Sequence, residues 1–84
     1  MTTLITGTVT DPQRAHALMS EEVTALASLQ AEGVIVGAYR SQTAPQFTGV
    51  SPLDDLDELN THLRSLPFIR DGIMTLTHQT VVEL

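Results

Sequence analysis

One carboxylate in this chain stands where the helix of a water-soluble protein should have none. Between Asp11 and Gly33 the residues repeat at the helical period of about 100° per residue. Ala15, Leu18, Met19, Ala25, Leu26 and Leu29 then share one face, with Arg14, Ser20, Glu21, Thr24 and Ser28 opposite. Glu22 lies four residues after Leu18 and four before Leu26, near the middle of the apolar stripe. A carboxylate turned into a core loses hydration, and its pKa rises toward the range of a proton shuttle. The structural reading of the same residue is a carboxylate that leans out to the helix end or pairs with Arg40 or a histidine.

Proton transfer beside a carbonyl also needs a group that steadies the developing oxyanion. Arg40 suits that task because it keeps its charge. Tyr39 is its neighbour on a strand, so the two side chains face opposite ways and at most one joins a given pocket. Either also reads structurally, Arg40 as a surface or interface ion-pair residue and Tyr39 as packing with a satisfied hydroxyl. Met19 reads as core filler or as the lining of an adaptable apolar pocket. His78 shares a strand face with Met74 and Leu76 and turns inward with them, whereas His16 and His62 border helix stripes. The three histidines fall on separate elements, and no pair has the i, i+4 spacing of a zinc helix. The acids Asp54, Asp55, Asp57 and Glu58 read as a solvated face at a helix start. Neither a nucleophile elbow nor a phosphate loop nor a dinucleotide fingerprint occurs.

The elements that must position these groups follow in order. Thr3 to Thr10 alternates as a strand, with Ile5, Gly7 and Val9 on one face and Leu4, Thr6 and Thr8 on the other. Asp11 caps the first helix, Pro12 opens it and Gly33 closes it in a left-handed conformation. Val34 to Ser41 is a second strand, broken at Gln42 to Pro45, and Phe47 to Ser51 a third. Ser51-Pro52 marks the entry of a second helix that carries Leu53, Leu56, Leu59, Leu63 and Leu66 on one face and ends before Pro67. Gly72 to Thr77 is a fourth strand and Thr80 to Leu84 a fifth segment. The order is α+β, a ferredoxin-like βαββαβ, with an antiparallel sheet and two helices on one face. Nothing remains in the chain to cover the other sheet face, so a homodimer or higher homo-oligomer is expected. Residues 79–84 are the candidate for an exchanged C-terminal tail.

Eighty-four residues form one small domain, and 42% hydrophobic content with three aromatic residues supports a modest core. Ten acids against four bases, a net charge of −6, argue against nucleic acid and anionic membrane surfaces as partners. The absence of cysteine excludes disulfides, thiolate nucleophiles and Cys-zinc sites. The first ten residues carry no basic start or apolar run, and no segment approaches a membrane span, so a cytoplasmic protein is expected.

Asp11-Pro12, Glu22, Leu29-Gln30-Ala31-Glu32-Gly33, Tyr39-Arg40 and Leu66-Pro67-Phe68 together resemble the muconolactone isomerase-like proteins of the dimeric α/β-barrel superfamily. The resemblance implies a cofactor-independent isomerase in which a glutamate of the first helix moves a proton between carbons of a small unsaturated lactone. Glu22 falls at that glutamate's position, and Tyr39-Arg40 at an aromatic-Arg pair that shapes the pocket. Two departures stand out: Val23 where the family carries a basic residue, and Ala44-Pro45 where it carries a His-aromatic pair. They remove partners for a lactone carboxylate or enolate. Three readings therefore stand: a proton-transfer isomerase using Glu22, a non-catalytic oligomeric small-molecule-binding module, and a cofactor-free monooxygenase or cyclase of the same fold.

Overall fold

A computed structural model describes residues 2–84. The chain runs β1 (Thr2–Val9), α1 (Pro12–Ala31), β2 (Gly37–Arg40), β3 (Gln46–Ser51), α2 (Leu56–Leu63), α3 (Pro67–Arg70) and β4 (Met74–Val81). The four strands form one antiparallel sheet in the order β2-β3-β1-β4, so β1 is central and β2 lies at an edge. This is the expected ferredoxin-like arrangement, with a third, very short helix added.

Local chemistry explains α1. The Asp11 carboxylate accepts from the Arg14 amide at 3.2 Å, and Pro12 occupies the first helical position. At the other end Gly33 takes φ +77°, which lets its amide reach Gln30 O at 3.1 Å and the Val34 amide reach Leu29 O at 3.0 Å. These are the two bonds of a Schellman close. Ala15, Glu22 and Leu29 are buried, seven residues apart, with Leu18, Met19, Ala25 and Leu26 half-buried between them. The apolar stripe is real, and Glu22 is part of it.

The register places Ile5, Gly7 and Val9 on the same sheet face as Ala38, Arg40, Phe47, Gly49, Met74, Leu76 and His78. The helices pack on this face. Ile5, Leu29, Ile35, Leu59, Leu63 and Leu66 form the larger core cluster, and Ala15, Phe68 and Ile73 the smaller. Thr3 and Ser51 are fully buried without breaking the rule that buried polar groups are bonded. The Thr3 hydroxyl donates to Leu53 O at 2.7 Å, and the Ser51 hydroxyl accepts from the Leu53 amide at 3.1 Å. Leu4, Thr6, Thr8, Thr48, Thr77 and Gln79 fall on the opposite face, which no element among the described residues covers.

Several expected boundaries move. Ser51 stays in β3, and the cap of α2 is Asp55, whose carboxylate accepts from the Asp57 and Glu58 amides at 3.0 and 3.2 Å. A carboxylate accepting two amides displaces the upstream serine as the helix entry. Leu56 is consequently 42% exposed and leaves the expected leucine face. α2 ends at Leu63, before the expected reach toward Pro67, and Pro67 instead opens α3 at its first position. Regular pairing of β2 begins only at Gly37, because Val34 and Ile35 are spent on the α1 close and the core. The expected fourth strand and fifth segment are one strand, since β4 pairs with β1 without a break from Met74 to Val81. Only Val82 to Leu84 lie beyond it, with Val82 68% exposed. No helix of the described residues is long and apolar enough to cross a membrane.

Candidate active site

The site is built around a helix start that cannot cap itself. Leu66 at the N-cap of α3 offers no side-chain acceptor, and Pro67 has no N–H, so Phe68 presents the first free amide. Phe68 is wholly buried, and water cannot serve that amide. Glu22 serves it instead: its Oε1 accepts from the Phe68 N–H at 2.9 Å, joining α1 to α3 across 46 residues.

Glu22 is only 8% exposed. Burial raises its pKa above the ordinary 4.5, and the hydrogen bond from Phe68 opposes that rise without cancelling it. The carboxylate makes no ion pair among the described residues, where the pairs formed are Arg14–Asp71 and Arg70–Asp71. Neither the lean to the helix end nor the partnership with Arg40 or a histidine describes this side chain.

Glu22 lies on the wall of a cavity of about 230 Å³ between α1, the α2–α3 segment and the sheet. Ile5, Met19, Leu26, Leu63, Phe68 and Met74 are among its apolar walls. The lining residues Val23, Ala38, Tyr39 and Arg40 are exposed, so the mouth opens between α1 and the edge strand β2, with Glu22 on the inner side. Among the described residues, Glu22 and Arg40 are its only charged lining residues. Gly7 gives the floor its depth, because a Cβ there would stand 2.6 Å from Met74 Sδ.

The expected site residues separate on this geometry. Glu22, Met19 and Arg40 all line the cavity. Tyr39 borders it too, but strand alternation turns its ring to the open sheet face, where a Cβ on Gly37 would be 3.3 Å from Tyr39 Cε2. Of the pair, only Arg40 has its side chain on the helix-facing side. His78 does turn inward beside Ile5, as its alternation predicts, yet it is not among the cavity-lining residues. The wall near β4 is taken by Met74 and Leu76, and the buried His78 Nε2 has no hydrogen-bond partner. Phe47 and Phe68 are lining residues that sequence reasoning did not single out for the site, whereas Met74 lines it as the second methionine read, with Met19, as core filler or pocket wall. Phe47 meets Phe68 edge-on, with ring centroids 6.1 Å apart. Among the described residues no cluster of three His, Asp or Glu side chains is arranged to hold a metal ion.

No protein-family model and no curated protein sequence matches this chain. Solved structures do match in three dimensions. A muconolactone isomerase superposes with a TM-score of 0.79 at 21% identity, covering 100% of this chain and 91% of that one. The 5-chloro-2-hydroxyhydroquinone dehydrochlorinase of Burkholderia phenoliruptrix AC1100, in complex with 2,5-dihydroxybenzoquinone, gives 0.73 at 16% identity over 98% and 94% of the two chains. An antibiotic biosynthesis monooxygenase gives 0.64 at 14% identity, over 99% and 100%. The chain therefore shares the ferredoxin-like fold of these structures.

Proposed function

We propose that this protein is an isomerase that moves a proton between carbons of a small unsaturated lactone or carbonyl compound, with Glu22 as acid and base. The observation that carries the reading is a buried carboxylate on the wall of an apolar cavity, tethered through one oxygen. The ionised carboxylate takes a proton from a carbon conjugated with the carbonyl, leaving a dienolate, and returns it to another carbon of the same system. Electrons and protons balance without an external oxidant or reductant. Desolvation makes Glu22 a stronger base than a free glutamate, which brings it nearer the pH at which it works. The Phe68 amide holds Oε1 and leaves Oε2 to exchange the proton. Arg40, at the mouth, is the cation available to an acidic substituent or to the developing enolate. The volume lies below the roughly 300–1,000 Å³ of sites for drug-sized ligands, which suits a compact ring.

Fold similarity to an isomerase, a dehydrochlorinase and a monooxygenase supports a small-molecule enzyme and does not choose among reactions. The deciding experiment is turnover of a panel of unsaturated lactones and enones by the native protein and by Glu22→Gln, followed by ultraviolet absorbance. Loss of turnover in a variant that still unfolds cooperatively supports the isomerase. One observation favours a second reading, a binding module without turnover: the bond to Phe68 gives Glu22 a task in folding alone. That reading wins if ligands bind the native protein and Glu22→Gln equally and neither turns them over. Oxygen uptake with any panel member would point instead to a monooxygenase.

The uncovered sheet face belongs to the same proposal. A second copy laid against Leu4, Thr6 and Thr48 would make a homodimer, with the exposed Val82 and Leu84 at its margin.

A further inference from the structure

A second concavity of about 230 Å³ lies at the N-terminal end of α1, floored by Val9, Pro12 and Ala15 and edged by His16 and Pro45. It shares three lining residues with the Glu22 cavity: Met19, Phe47 and Phe68. Those three side chains are thus the partition between two spaces of similar size. They differ in how far they can yield. Phe68 is wholly buried, and its own amide is held by Glu22. Phe47 rests edge-on against the Phe68 ring. Met19 is half-buried, unbranched, and one helical turn before Glu22 on the same stripe. It is the one member of the partition with an unbranched side chain of three rotatable bonds, and it packs against the cluster that contains Phe68.

We infer that Met19 sets the maximum length of ligand that the Glu22 cavity accepts, and that the groove beyond it receives an unbranched alkyl arm of a ring compound once Met19 is shortened. The inference rests on the Glu22 cavity being a ligand site. The ring stays beside Glu22, the arm points along the α1 axis toward Pro12, and the arm meets Val9 and Ala15 rather than charged groups. The ligand class is an apolar-armed ring, with His16 at the exposed outer end.

The test measures binding, not turnover. 4-n-Alkylphenols from methyl to hexyl are titrated calorimetrically into the native protein, Met19→Ala and Met19→Phe. Each methylene accommodated in an apolar site tightens Kd about fourfold, and the gain stops at the length where the wall is met. Met19→Ala should move that stopping point at least two carbons longer, and Met19→Phe should move it shorter. Stopping points unchanged in both variants would overturn the inference while leaving the cavity as a ligand site. If no phenol binds any of the three proteins, the ligand-site reading itself fails and this inference with it. Should Met19→Ala fold poorly, Met19→Phe alone still decides, since a stopping point equal to the native one contradicts the role given to Met19.

Discussion

Glu22 holds two positions at once, as the acceptor for an otherwise orphaned amide and as the acid on the wall of an apolar cavity. These tasks separate by substitution. Glu22→Gln keeps an oxygen for the Phe68 N–H, whereas Glu22→Ala leaves that buried amide unbonded at a cost of about 1–3 kcal/mol in chemical denaturation. The pH dependence has a definite sign. Because the folded chain keeps a proton on Glu22 that the unfolded chain releases near 4.5, the stability contributed by Glu22 is fully present below that pH and is lost as pH rises through the raised folded value. Glu22→Gln removes this decline, so it should melt at or above the native temperature at neutral pH. The difference should vanish below pH ~4, and calorimetric scans across pH will check both ends. Arg40 is exposed at the mouth, so Arg40→Ala should leave stability within about 0.5 kcal/mol of native. In steady-state kinetics it should raise KM or lower kcat for acidic substrates.

At the scale of elements, the floor of the cavity depends on the missing side chain of Gly7. A methyl there meets the Met74 thioether, a flexible group that can be displaced, so Gly7→Ala should cost about 1–3 kcal/mol and weaken ligand binding. Denaturation and calorimetric titration of that variant test the two effects separately. The burial of Glu22 could be read from residue spacing because α1 is long, capped by Asp11 and Gly33, and carries its apolar residues on one stripe. The start of α2 could not, because Ser51 followed by Pro52 has the form of a helix entry and only tertiary context takes it out of that role. Ser51 is drawn into β3 by pairing with Thr3, which leaves the cap to Asp55. The partner of Glu22 was likewise hidden: an amide 46 residues away is a product of packing, not of local pattern. His78 shows the limit of strand alternation, which predicts the face a residue takes but not whether the space in front of it is open.

At the scale of the whole molecule, one sheet face carries the helices and the cavity while the other carries threonines and the half-buried Leu4 and Val50. A sheet with a single covered face in so short a chain gains most by associating through the bare one. Sedimentation equilibrium should therefore give a dimer or larger, and Thr6→Lys with Thr48→Lys, which sets like charges directly across β1 and β3 on that face, should give a monomer. The proposed reaction follows from neither the fold nor the net charge of −6. It follows from the state of one carboxyl group. A 13C NMR titration of the Glu22 side-chain carboxyl in the ligand-free protein measures that state directly. A midpoint clearly above 4.5 is the expected result; a midpoint at or below it would mean that desolvation does not outweigh the Phe68 hydrogen bond, and would contradict the role assigned to Glu22.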